Sequence, residues 1–128
     1  MIERIFPPGA PAPRGPYTPA VRAGDTIYVA GQIPIDPVTG TVVLGDIRSE
    51  TRQVLTNIQS ILSGCGATLE DVVRCGVYLI DAADFQAMNE VYAEFFGTAK
   101  PARTTIIVAA LPLKDARVEI DAIAYKPQ

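Results

Sequence analysis

The chain has 128 residues, with eleven Lys and Arg against fourteen Asp and Glu for a formal charge of −3, and it contains no histidine. That absence excludes Ser-His-Asp and Cys-His nucleophile pairs and histidine-ligated zinc or iron. A composition 48% hydrophobic and 20% charged fits a folded domain, and eight scattered arginines with no basic run leave no electrostatic footprint for nucleic acid.

The expectation is one domain over residues 1–128, long enough to bury a core without staples. Cys65 and Cys75 form no CxxC and cannot complete a four-ligand zinc site. Each reads as a small buried hydrophobe, although a disulfide between them stays open. Met1 to Pro8 lacks the apolar core of a signal peptide and no run reaches membrane length, so a cytoplasmic chain with no membrane partner and no metal is expected.

In chain order, six of the eleven prolines fall between Pro7 and Pro19, which forbids helix or central strand there. This segment is either a surface lead-in or a site-lining loop, because Gly15-Pro16-Tyr17 presents an aromatic on a stiffened backbone. Ala20–Arg22 and Thr26–Ala30 read as a hairpin turning at Ala23-Gly24-Asp25, with Gly31 ending its second strand. A loop from Gln32 to Gly40 leads to a short strand at Thr41-Val42-Val43. From Ile47 to Ser63, Val54, Leu55, Ile58, Ile61 and Leu62 repeat at helical spacing; Asp46 or Ser49 is the N-cap and Gly64 the left-handed C-terminal residue. Thr68–Asp71 predicts a capped turn, and Val72–Ile80 an apolar strand in mid-sheet. A second helix starts at Asp81 or Asp84 and runs to Phe96, burying Phe85, Met88, Tyr92, Phe95 and Phe96 and stopping at Gly97. Two more strands, Arg103–Ala109 and Arg117–Tyr125, close the chain. The predicted fold is α+β, one sheet with both helices on one face and the other face left open, which points to self-association.

Strand alternation puts Val118, Ile120, Ala122 and Ala124 opposite Arg117, Glu119 and Asp121, and Arg103, Thr105 and Ile107 opposite Thr104, Ile106 and Val108. If these strands pair across their short connection, Arg103 and Glu119 meet; the plain alternative is a surface ion pair of about 0–1 kcal/mol. Arg103 follows Lys100-Pro101-Ala102 at a strand's beginning, a placement suited to holding a carboxylate bidentately. Glu119 then directs a water or moves a proton. Asp81, Asp84, Glu70 and Asp71 read as caps.

Gly15-Pro16-Tyr17, the run Ala23 to Pro34, Asn89-Glu90-Val91-Tyr92-Ala93-Glu94-Phe95-Phe96, Pro101-Ala102-Arg103-Thr104 and Val118-Glu119-Ile120-Asp121-Ala122-Ile123-Ala124 resemble, in order and spacing, the RidA/YjgF family of imine and enamine deaminases. The resemblance implies a chorismate-mutase-like α+β sandwich in a homotrimer, with an inner barrel of sheets and three clefts between subunits. It implies hydrolysis of reactive 2-enamino and 2-imino acids, such as 2-aminoacrylate released by pyridoxal-phosphate enzymes, to 2-keto acids and ammonia, with no cofactor. By residue-wise resemblance, Arg103 clamps the substrate carboxylate, Glu119 serves water activation, and Tyr17, Gly31 and Asn89 line the cleft. Thr105 stands where many members carry Cys, so its hydroxyl replaces a thiol while its backbone still reaches substrate. Ala30 stands where Ser is common, and Pro19 where Gln is common. The alternative function is a non-catalytic trimeric module binding small 2-keto or other carboxylic acids.

Overall fold

The computed structural model describes residues Met1 to Gln128. Six strands and two helices follow in the order β1 (Ile2–Ile5), β2 (Ala20–Ala23), β3 (Thr26–Gln32), α1 (Ile47–Gly64), β4 (Val72–Leu79), α2 (Phe85–Phe96), β5 (Ala102–Ile107) and β6 (Val118–Tyr125). One mixed sheet holds all the strands in the order β1-β2-β3-β6-β4-β5. All its neighbours are antiparallel except β4 and β5, which run parallel. Parallel strands need a crossover, and α2 supplies it between β4 and β5; α1 links β3 to β4 in the same way, with β6 inserted between them. Both helices lie on one face, as the α+β reading predicts. No helix is long and apolar enough to cross a membrane.

The α1 stripe is packed as its periodicity requires: Val54, Leu55, Ile58, Ile61 and Leu62 are fully buried against Ile27, Val77, Ile120 and Ala124 of the sheet. Asp46 is the N-cap and accepts the Ser49 N–H at 2.8 Å. The C-terminus corrects one expectation. Gly64 is still helical, and Gly66 takes the left-handed conformation at φ 78°. Its N–H donates to Ser63 O and that of Ala67 to Leu62 O, the paired bonds of a Schellman ending. Gly64 is needed for another reason: a Cβ there would lie 2.5 Å from Pro7 Cβ, where the proline-rich arm crosses the helix.

Further corrections concern the ends of the sheet. Thr41–Val43 is not a strand, because only Val42 bridges to Ile35. The sixth strand is β1, an exposed edge paired with β2. The hairpin turns at Gly24, φ 63°, and its second strand runs past Gly31 to Gln32 through an irregular register. A 3₁₀ turn, Ala82–Asp84, precedes α2; Asp81 accepts the Ala83 N–H there, and Phe85 is exposed rather than core. Both cysteines are free, Cys75 buried and Cys65 half-buried. Arg22, 7% exposed, donates to the carbonyls of Gly24, Lys126 and Cys65 and so ties together the hairpin turn, the chain's end and the end of α1.

Candidate functional site

The last two strands do not pair. β4 lies between β5 and β6, so Arg103 is opposite Cys75 while Glu119 is opposite Tyr78. Cys75 is fully buried beneath the helices, and Glu119 alternates with the fully buried Val118 and Ile120. Arg103 and Glu119 of one chain therefore point to opposite faces of the sheet, and the direct meeting anticipated from sequence does not occur. The six residues singled out fall into two groups of three.

Arg103, Thr105 and Asn89 form the first group, on the helix face. The Arg103 guanidinium lies 4.7 Å from the centroid of the Tyr92 ring and 5.8 Å from that of Phe85. Phe85, Asn89 and Tyr92 fall at i, i+4 and i+7 on α2 and so share the face that meets β5. Arg103 makes no hydrogen bond or ion pair within the chain, whereas Arg48, Arg52 and Arg117 are paired with Glu90, Glu94 and Asp84. The two rings give the guanidinium a cation–π seat, which uses none of its N–H donors in hydrogen bonds to a carboxylate of the chain. Around it the Asn89 Oδ1, Tyr92 hydroxyl and Thr105 Oγ1 are buried without hydrogen-bond partners. Cys75 adjoins the Tyr92 hydroxyl, but burial pushes its thiol up to about 11, so it is a neutral, weak nucleophile. Burial likewise raises the Tyr92 hydroxyl, with the neighbouring Cys75 adding to it.

Tyr17, Gly31 and Glu119 form the second group. They line a cleft of about 410 Å³ with Arg14, Ala30, Ile33, Pro112 and Leu113. Gly31 is there for space, since any Cβ would collide with the Glu119 carboxylate. Burial and the nearby Asp121 charge hold the Glu119 carboxyl above the usual range. Asp121 is fixed by the Gly76 N–H and the Tyr78 hydroxyl, each at 2.9 Å. The start of β6 is anchored from α1, where buried Glu50 accepts the Arg117 N–H at 2.7 Å. On the cleft's other wall, buried Asn57 donates to Ile35 O at 2.8 Å and pins the loop that carries Ile33. Sequence reasoning missed Asn57, although a lone Asn inside an otherwise apolar helical stripe was a usable signal. It also missed Arg14 and the seat that Tyr92 gives Arg103.

Comparison with known proteins decides the family. A family model described as Endoribonuclease L-PSP matches residues 8–126. The chain belongs to this family. A RutC family protein of Pyrococcus horikoshii is 56% identical over 98% of this chain and 99% of its own. A protein of Capra hircus named 2-iminobutanoate/2-iminopropanoate deaminase is 48% identical over 98% and 92% respectively. The crystal structure of RidA from an Antarctic Psychrobacter superposes with a TM-score of 0.91 at 40% identity, covering 96% of this chain and 98% of that one. The RidA/YjgF resemblance read from the sequence is borne out, and with it the fold class.

Proposed function

We propose that the protein hydrolyses reactive 2-imino acids, and their 2-enamino tautomers, to 2-keto acids and ammonia. The observation that carries this reading is Arg103: a half-buried guanidinium over the Tyr92 ring, without a carboxylate partner, on the same face as three buried polar atoms that have bonding capacity to spare. Such a group suits a small planar carboxylate, which it grips through two parallel hydrogen bonds. The deaminase name of a relative 48% identical over most of both chains supports the same chemistry.

Because Arg103 and Glu119 face opposite sides of the sheet, the working site takes them from different subunits of a homotrimer, Arg103 of one facing the Tyr17-Gly31-Glu119 cleft of the next. Half-exposed Tyr28, Val73, Ile106, Ile107 and Tyr125 on the open face and edge of the sheet support such an assembly. With the carboxylate clamped, an imine carbon is already electrophilic. Glu119 orients water toward it; a C–O bond forms as the C=N π pair moves to nitrogen, which takes the proton that the water gives up. The hydroxyl proton of the resulting carbinolamine then passes to nitrogen as the C–N bond breaks, releasing ammonia and leaving the keto acid. Asn89 and Thr105 flank the clamp and Tyr17 covers the cleft. The chemistry asks for positioning more than for a strong base, which a site without imidazole can provide. In the cytoplasm such an activity clears the by-products of pyridoxal-phosphate enzymes.

The test is to add the protein to a serine or threonine dehydratase and follow keto-acid release. Wild-type protein should accelerate it, and Arg103→Ala should lower kcat/KM by roughly 10²- to 10⁴-fold, as expected for losing two hydrogen bonds to a charged group. Full activity in Arg103→Ala would sink the clamp. The second reading, a carboxylic-acid binding module, is favoured by the separation of clamp and carboxylate within one chain. Tight keto-acid binding with no acceleration of imine loss would select it.

A further inference from the structure

We propose that Arg14 makes this site prefer 2-imino and 2-keto acids that carry a second carboxylate, an inference that rests on the clamp role given to Arg103 above. Arg14 lines the same cleft as Tyr17, Gly31 and Glu119. Its main-chain N–H donates to the Tyr17 hydroxyl oxygen at 3.2 Å, and the Tyr17 N–H donates to Gly15 O at 2.9 Å. The loop is thus folded on itself and presents the tyrosine and the arginine as one unit, on a backbone that the neighbouring prolines stiffen.

The Arg14 guanidinium is largely unspent. It makes one long bond, 3.3 Å to Gly40 O, and no carboxylate of the chain lies within ion-pairing distance. Glu119 lines the same cleft but is not ion-paired with Arg14. Arg48, Arg52 and Arg117 by contrast are committed to Glu90, Glu94 and Asp84, and Arg22 to three carbonyls. A free guanidinium on a cleft wall is a second anion-binding group, because it stays charged at every working pH and offers several donors in one plane.

The lining of the cleft agrees. Ile33, Pro112 and Leu113 supply apolar wall, suited to the methylene groups between two carboxylates, while Arg14 supplies charge. With the first carboxylate held by Arg103 of the neighbouring subunit, the distal carboxylate of a four- or five-carbon diacid is assigned to Arg14. The favoured substrates are then the imines formed when an amino-acid oxidase or dehydrogenase removes two electrons from the C2–N bond of an acidic amino acid.

Calorimetry with stable product analogues tests this directly, using 2-oxobutanoate and 2-oxoglutarate as the one- and two-carboxylate probes. Wild-type protein should bind 2-oxoglutarate roughly tenfold more tightly, the lower end of what a charged hydrogen bond contributes. Arg14→Ala should collapse that ratio to near one, and Arg14→Lys should restore part of it. Equal affinities in wild type, or a preference that survives Arg14→Ala, overturns the inference and leaves the clamp standing. Binding of neither acid removes the clamp and the inference together. In kinetics, the ratio of kcat/KM for imines made from aspartate and from alanine by amino-acid oxidases should fall about tenfold in Arg14→Ala, and an unchanged ratio counts against the proposal.

Discussion

The two halves of the candidate site are built differently. The Arg103 side stands on regular structure: a strand, a helix face two turns long, and two aromatic rings that hold the guanidinium by stacking. The Glu119 side is half loop, with Tyr17 and Arg14 from the proline-rich arm, Ile33 from the segment after β3, and Pro112 and Leu113 from the connection before β6. Glu119 itself stands on β6, so the loops contribute the surroundings of the carboxylate and not the carboxylate. On the function proposed above, the first half supplies binding geometry and the loops of the second supply discrimination between substrates.

The largest test of that division is Gly31→Ala. The added methyl group displaces the Glu119 carboxylate without touching the Arg103 wall. It should cut kcat by about 10²-fold, as Glu119→Gln should, while 2-oxobutanoate binding by calorimetry stays measurable. Loss of binding together with catalysis would mean that the two walls are not separable.

A smaller effect is expected at Tyr92. Tyr92→Phe keeps the ring beneath Arg103, and Tyr92→Leu removes it. Leu should raise KM by about tenfold, a partly desolvated cation–π contact of order 1–2 kcal/mol, and Phe should return KM to near the wild-type value. If Phe is as impaired as Leu, the hydroxyl rather than the ring holds the arginine. Smallest is the effect of Asp121→Asn. The Asp121 charge raises the Glu119 carboxyl, so removing it lowers that pKa. If Glu119 works as the carboxylate, the acid limb of the kcat/KM profile then moves to lower pH; a limb that stays in place would show that another group sets it.

Much of this was legible before any coordinates. The α1 stripe, the β2–β3 hairpin, the apolar β4 and the facing of each residue along β5 and β6 follow from periodicities of 3.6 and 2, which report burial directly. What escaped depends on partners distant in sequence. β1 is four residues with two charges, and only β2 makes it a strand. Val42 and Val43 have the composition of a strand but find only one bridge. The ending at Gly66 rather than Gly64 was hidden because both glycines suit a C-terminus, and only the crossing of Pro7 gives Gly64 its own task. Pairing of β5 with β6 is the economical guess for strands joined by a short connection, yet parallel pairing of β5 with β4 displaces it. The six candidate residues were reachable through motif resemblance, but their division between two faces required knowing which strand lies in the middle.

The strand that lies there is the last one made. β6 fills the space between β3 and β4, and Arg22 near the chain's beginning waits for the carbonyl of Lys126 near its end. While the chain is still emerging from a ribosome, everything up to β5 can be synthesised and the sheet still lacks its centre, with the apolar flank of α1 unsheltered. The sheet's contacts therefore join residues far apart in sequence, the kind of pairing that slows folding. Only when β6 is in place are the two halves of the sheet, β1-β2-β3 and β4-β5, one surface.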